Sequence, residues 1–89
     1  MREFSNGLPN GTSAEFETWL TDNPDGYYVN RLSAKLGRLH RGKCSHMRFA
    51  PGTANLVSHP KWASSKREEL EMRALRERVE LALCPDCDV

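Results

Sequence analysis

The chain has 89 residues and a formal net charge of +1, which limits it to one small domain with a modest hydrophobic core. It contains no isoleucine, and leucine, valine and phenylalanine together make up only 17 of the 89 residues, a fraction that borders on the disordered class. The apolar runs are far too short for a signal peptide or a membrane span, so we expect no membrane partner. Because the core has so few large apolar side chains, we expect a further stabilising element, such as a bound metal ion.

The N-terminal residues 1–11 are predicted to form a flexible arm, and residues 12–89 a single domain. Two glycines, two asparagines and a proline occur within the first 11 residues and disfavour regular structure there. A capping box follows, because the Thr12 hydroxyl can accept a hydrogen bond from the Glu15 amide. It predicts a helix that ends just before Pro24 and carries its apolar side chains on one face: Phe16, Trp19 and Leu20.

A β-hairpin is predicted next. Residues 27–32 are aromatic and β-branched at their start, and residues 36–40 form a plausible return strand. The hairpin would lead directly to Cys44 and His46. Residues 54–59 could add a third short strand, and Trp62 is expected to begin or flank the last helix.

The last helix is predicted to start with a second capping box at residues 65–68 and to run to about Leu83. One apolar stripe is expected to face the core: Met72, Leu75, Val79, Ala82 and Leu83. A second apolar set, formed by Leu70, Ala74 and Leu81, lies on the opposite side. This second face predicts another contact, either a homodimer or coverage by the N-terminal arm. The overall expectation is a small α+β, zinc-stapled domain with a short N-terminal helix, a hairpin, an irregular loop and a long C-terminal helix.

Two short motifs contain all three cysteines, and they predict a structural Zn²⁺ site. They are Cys44-x-His46 in the middle of the chain and Cys84-x-x-Cys87 at its end. Tetrahedral zinc binds thiolate and imidazole ligands that short turns bring close together. We therefore predict a Cys3His site formed by Cys44, His46, Cys84 and Cys87. His40 and His59 remain alternatives to His46.

Other uses of the cysteines fit the spacing less well. A C-x-x-C redox dithiol normally opens a helix, whereas this one is predicted to follow a helix. A disulfide between Cys84 and Cys87 would leave Cys44 unpaired, and three inert buried thiols remain a further alternative. Thiolates that must stay reduced for a metal favour a cytoplasmic location.

Charge is segregated along the sequence. Residues 26–67 contain nine basic residues and no acidic one, while both flanking segments are acidic. Clusters of lysine and arginine without nearby carboxylates are typical of phosphate-binding surfaces. We predict that a basic hairpin face binds nucleic acid through Arg31, Lys35, Arg38, Arg41, Lys43 and Arg48. The alternative is that these charges pair with the acidic last helix or with an acidic protein partner.

Catalysis is not expected from this sequence. His46, Asn55 and His59 follow the order of a His-Asn-His nuclease, which gives a third functional hypothesis. However, such a site must hold a divalent metal, the spacings here are short, and no acidic residue lies nearby in the sequence to bind magnesium. The chain is therefore predicted to be a non-enzymatic binding or regulatory module, with a protein-interaction adaptor using the C-terminal helix as the alternative.

The sequence also resembles a group of small uncharacterised bacterial, largely actinobacterial, proteins. The shared motifs are Gly26-Tyr27-Tyr28-Val29-Asn30, Leu39-His40-Arg41, Cys44-x-His46 and Cys84-x-x-Cys87. The resemblance covers residues 16–46 and the last six, and implies zinc binding without a transferable function. In outline the site is similar to zinc-ribbon and treble-clef modules. In a treble clef, however, the second ligand pair begins a helix, and here it follows one in the prediction.

Overall fold

The computed structural model describes residues 1–44, 57, 59–87 and 89, which adopt an α+β fold. The predicted fold class is thus confirmed at this level. In chain order the elements are β1 (Arg2–Phe4), α1 (Ser13–Asp22), β2 (Tyr27–Arg31), β3 (Leu36–Arg41), β4 (Lys61–Ser64), α2 (Arg67–Glu77) and β5 (Glu80–Leu83). In the part of the chain that the structure describes, no helix has the length and apolar character needed to span a membrane.

A five-stranded sheet forms the centre of the fold, in the order β1-β4-β2-β3-β5. The β2–β3 hairpin is antiparallel, as predicted, and aligns Tyr28 with His40. Strand β5 instead runs parallel to β3 and aligns Leu83 with Leu39. Because successive side chains of a strand point to opposite faces, these registers define two faces of the sheet. One carries Tyr28 and His40 and is called the metal-side face, and the other carries Val29 and Leu39 and is called the α2-side face.

Helix α1 agrees with the sequence prediction. Thr12 is its N-cap and accepts a hydrogen bond from the Glu15 amide at 3.3 Å. Phe16 is fully buried, and its ring lies 5.0 Å from that of Phe4 and 5.4 Å from that of Tyr28. Phe4 belongs to the segment predicted to be a flexible arm. Residues 2–4 of that segment are an edge strand, which contributes a fully buried ring to the core.

Helix α2 is much shorter than predicted. It ends at Glu77, because Arg78 adopts a left-handed conformation with φ 57° and the backbone amide of Val79 bonds to the carbonyl of Ala74. The residues predicted to form its last turns are strand β5 instead. The predicted capping box is also absent: Lys66 is the N-cap without a side-chain bond, and the Lys66 amide donates to the Ser64 hydroxyl at 3.0 Å.

The core-facing side of α2 is opposite to the predicted one. Leu70 is 0% exposed and Ala74 is buried beside it, whereas Met72 is 63% and Leu75 is 75% exposed. The predicted stripe relied on Val79, Ala82 and Leu83 continuing the helical period. These residues belong to a strand or to the turn before it, so they provide no support for that side of the helix.

Trp62 lies in β4 and is buried, so the prediction that it begins or flanks the last helix was wrong. Its ring packs on the α2-side face with Val29, Leu39 and Leu70. The guanidinium groups of Arg31 and Arg73 each lie 4.9 Å from the centroid of this ring. Of the predicted third strand at residues 54–59, only residues 57 and 59 are described, and neither belongs to a strand; the observed strand begins at Lys61.

Candidate metal centre

The topology of the sheet brings the candidate ligands together. His40 lies near the end of β3 and Cys44 lies in the turn after it, while Cys84 and Cys87 follow β5. Because β3 and β5 are parallel neighbours, their carboxyl ends lie at the same edge of the sheet. The Cys84 amide continues this ladder by donating to the carbonyl of Leu39 at 3.0 Å. Two motifs about 40 residues apart in sequence thereby meet in space.

The distances in this cluster suit one tetrahedral ion. The ligand atoms of His40, Cys44, Cys84 and Cys87 all lie within 4.8 Å of one another. The sulfurs of Cys44 and Cys84 are 3.7 Å apart, and His40 Nδ1 is 3.4 Å from Cys44 Sγ. Metal–ligand bonds of about 2.3 Å to sulfur and about 2.0 Å to nitrogen imply tetrahedral edges of about 3.8 and 3.5 Å. A disulfide would need about 2.05 Å between the sulfurs, and none of the three cysteines forms one.

The surroundings orient and stabilise the ligands. His40, Cys44 and Cys84 are each 3% exposed. The ring of Tyr28 stacks on the imidazole of His40 with centroids 4.7 Å apart and an interplanar angle of 12°, which fixes the plane of the imidazole. The backbone amide of Arg41 donates a hydrogen bond to Cys87 Sγ at 3.4 Å. Such contacts around the ligands hold them in the geometry that a metal needs.

The electrostatics of the cluster favour the thiolate form of Cys84. Burial by itself raises the pKa of Cys84, but backbone hydrogen bonds from Asp86 and Cys87 and side-chain hydrogen bonds from Cys87 and Cys44 lower that pKa overall. Burial raises the pKa of the Tyr28 phenol far above its usual range, and the charges of the three thiolates add to this effect. Within the described residues, the Tyr28 hydroxyl has no hydrogen-bond partner.

The turn that presents Cys44 depends on a glycine. The Cys44 amide bonds to the carbonyl of Arg41 at 3.0 Å, and the Gly42 amide bonds to that of Gly26 at 2.8 Å. A Cβ atom at position 42 would lie 2.9 Å from the carbonyl oxygen of Asn23. Only glycine therefore allows the backbone of the metal-binding turn to lie this close to the end of α1.

The structure brings Cys44, Cys84 and Cys87 together, and the described histidine that joins them is His40. His46, the predicted ligand, lies outside the described residues. His59 is exposed and is not in the cluster. His40 was one of the two alternatives to His46. Strand alternation favours His40 as the ligand, because it places residue 40 on the same face of the sheet as Tyr28 and at the level of Cys84.

Two further sequence interpretations concern this region. The Cys84-x-x-Cys87 motif follows strand β5 and not a helix, so that part of the argument against a redox dithiol was wrong. The other part holds for the described residues, because residues 85–87 form a turn and do not open a helix. The proximity of Cys44 and His40 now provides a different reason to favour a metal. For the His-Asn-His nuclease hypothesis, His46 and Asn55 lie outside the described residues, so its geometry stays a prediction.

The predicted nucleic-acid-binding residues do not share one face of the hairpin. Strand alternation places Arg38 on the metal-side face, and Arg31 and Arg41 on the α2-side face. Arg31 donates to the carbonyls of Ser33 and Ala34, and it also forms an ion pair with Glu77 at 3.8 Å. This arginine is thus part of the packing around Trp62.

The remaining basic residues are arranged around the two ends of the hairpin. Lys35 is exposed in the β2–β3 turn, whereas Arg41 and Lys43 are exposed near the metal cluster. Lys43 forms an ion pair with the exposed Asp25 at 3.1 Å. Arg48 lies outside the described residues. Among the described residues, the predicted basic side chains that are exposed therefore form a smaller group than the sequence indicated.

One further lysine of the acid-free segment points into the protein. Lys61 is 5% exposed, and its ammonium donates to Asn30 Oδ1 and to the His59 carbonyl, each at 2.9 Å. Burial lowers the pKa of Lys61 to about 8. This side chain stabilises the pairing of β2 with β4 and does not contribute to a basic surface.

Comparisons of this chain with models of protein families, with curated proteins and with solved structures find no significant match.

Proposed function

We propose that the protein is a non-enzymatic module with a structural Zn²⁺ ion bound by His40, Cys44, Cys84 and Cys87. The observation that carries this proposal is the closed arrangement of four ligand atoms within 4.8 Å of one another, three of them on buried residues and the fourth on the half-buried Cys87. Catalytic zinc sites normally keep one position for water or substrate, whereas structural sites use four protein ligands. Zinc is favoured over harder ions because three of the four ligands are thiolates.

The test is the metal content of the purified protein, together with two matched histidine variants. The proposal predicts one zinc per chain by elemental analysis. His40→Ala should weaken zinc affinity by more than about 100-fold, a loss greater than that caused by removing a neighbour of a ligand. His46→Ala removes the same group six residues away and should leave the affinity nearly unchanged. The opposite result would restore His46 as the ligand, and a metal-free protein would overturn the zinc site.

We further propose that the module binds the phosphates of nucleic acid near the metal-binding turn. The supporting observation is that residues 26–67 contain no acidic residue, and that Arg41 and Lys43 of this segment are exposed beside the candidate metal cluster. The Arg41 amide donates a hydrogen bond to the proposed ligand Cys87, and Lys43 directly precedes the proposed ligand Cys44. Metal binding would therefore determine where these two charges lie. The suggested relation to small bacterial zinc proteins is compatible with this role and remains a proposal.

The nucleic-acid proposal predicts salt-dependent binding in a titration followed by fluorescence anisotropy. Replacing Arg41 and Lys43 by glutamine should reduce the slope of log affinity against log salt by about 0.9 per lost phosphate contact, or about 1.8 in total, on duplex DNA. The matched control replaces Arg67 and Arg76 of α2 by glutamine, an equal change in charge on the other face. Equal weakening by both pairs would argue for non-specific attraction, and no binding at low salt would remove the proposal.

A further inference from the structure

Strand β5 is the last strand in the sheet order, and its outer edge is unpaired among the described residues. The amides of Glu80 and Cys84 bond to the carbonyls of Lys35 and Leu39 on β3. In a parallel ladder alternate residues bond to the same neighbour, so the N–H and C=O groups of Leu81 and Leu83 point away from β3. These two residues therefore present four backbone hydrogen-bonding groups along the open edge.

Apart from the charged Glu80 at its start and Pro85 beyond its end, this edge lacks the features that normally prevent strand pairing. Exposed edges usually carry charges or proline, which discourage another strand from adding. The opposite edge follows this rule, because β1 contains Arg2 and Glu3 in a three-residue strand. By contrast, the last three residues of β5 are Leu81, Ala82 and Leu83, and the Leu83 side chain is 52% exposed. The β5 edge is thus suited to pair with another strand.

We propose that β5 pairs antiparallel with β5 of a second copy of this chain, about a two-fold axis beside Ala82. Leu81 then lies opposite Leu83 of the second copy, and the two pairs together form four backbone hydrogen bonds. Other symmetric registers use fewer bonds. An axis at Leu81 would pair Leu83 with Val79, whose amide already bonds to Ala74, and an axis at Leu83 would pair Leu81 with Pro85, which has no amide hydrogen.

The side chains beside this edge also favour a second copy. In the proposed register Leu81 and Leu83 of the second copy are cross-strand neighbours on the α2-side face, which is a favourable apolar pair. Next to them lies an open cleft of about 250 Å³, lined by Glu71, Ala74, Leu75, Val79 and Leu81. Leu75, the most exposed large apolar residue, lies on its rim. Pairing would cover this apolar surface, which monomeric proteins rarely leave exposed as a contiguous patch.

Charge complementarity supports the antiparallel direction. A basic residue, Arg78, lies just before β5, and an acidic residue, Asp86, lies shortly after it. Antiparallel pairing about Ala82 brings Arg78 of one copy to the level of Asp86 of the other. A parallel arrangement would bring like charges together instead. The proposal does not depend on which metal the chain binds.

The first test is the mass of the metal-loaded protein in a dilution series, measured by sedimentation equilibrium. A chain of 10.1 kDa should give a concentration-dependent dimer. Leu83→Lys should weaken dimerisation by at least about tenfold, because it places a charge in the apolar pair. Met72→Lys is the matched control, since it adds the same charge at an equally exposed position on α2 away from this edge, and it should dimerise normally. Zinc content is measured for each variant, so that loss of metal is distinguished from loss of pairing.

The second test is a cross-link at the two-fold axis. Ala82 lies opposite itself in a non-hydrogen-bonded pair, where Cα atoms about 4.5 Å apart lie within the range that a disulfide spans. Ala82→Cys should form a disulfide-linked dimer under mild oxidation, whereas Met72→Cys should not. A wild-type protein that stays monomeric at every concentration would overturn the proposal. So would a dimer that is insensitive to Leu83→Lys and is not cross-linked by Ala82→Cys.

Discussion

Chelating the metal is expected to abolish the cooperative fold of this protein. A structural zinc site contributes about 10–16 kcal/mol of apparent free energy at neutral pH. A whole domain is stable by only about 5–15 kcal/mol. In this chain the buried Cys44 and Cys84 belong to the same core cluster as Phe16 and Tyr28, so an ion bound by them would hold one face of the sheet together. Metal removal should therefore disrupt the fold well beyond the four ligands.

The measurement is near-ultraviolet circular dichroism during titration with EDTA. Trp62 is buried and Trp19 is partly buried, so their signals report on the two faces of the sheet. Adding zinc back should restore the spectrum. Magnesium should not, because it prefers oxygen ligands to sulfur. A protein shown to be metal-free that keeps a native spectrum and a cooperative thermal transition would contradict the prediction.

Leu70→Ala is expected to destabilise the protein by about 2–5 kcal/mol, the usual cost of truncating a buried leucine. Leu70 is fully buried against the sheet, in the cluster that contains Trp62 and Val29. Since this core is small, a decrease of that size is a large fraction of the total free energy of unfolding. The expected observation is a strong decrease in the urea concentration at the midpoint of unfolding, measured on the metal-loaded protein.

Leu75→Ala is the matched control for this prediction. It makes the same change in the same helix and therefore alters helix propensity equally. Because Leu75 is 75% exposed, the free energy of unfolding should change by no more than about 0.5 kcal/mol. The unfolding is measured at concentrations where the chain is monomeric, so that an effect of Leu75→Ala on dimerisation does not change the free energy of unfolding. A larger loss for Leu75→Ala than for Leu70→Ala would show that the other side of α2 faces the core.

Local sequence signals were sufficient for helix α1 and for the β2–β3 hairpin, but not for strand β1. Thr12 and Glu15 define the start of α1, and the helix ends before Pro24 because proline restricts the residue that precedes it. The β2–β3 hairpin follows from its aromatic and β-branched residues. Each of these features depends on residues close in sequence. The residue type and spacing of the three cysteines were likewise sufficient to predict them as metal ligands.

Only the tertiary structure decided the end of α2, the side of α2 that faces the core, and the histidine that joins the cysteines. Residues 79–83 are compatible with a helix by their apolar spacing, but they pair as a strand with β3, a contact between segments some 40 residues apart. That parallel pairing places Cys84 level with His40 and turns Leu70 toward the sheet. The sequence by itself determined the elements with local hydrogen bonds and the chemistry of the ligands. The choice between helix and strand at the C-terminus, and with it the composition of the site, depended on backbone pairing that no local pattern encodes.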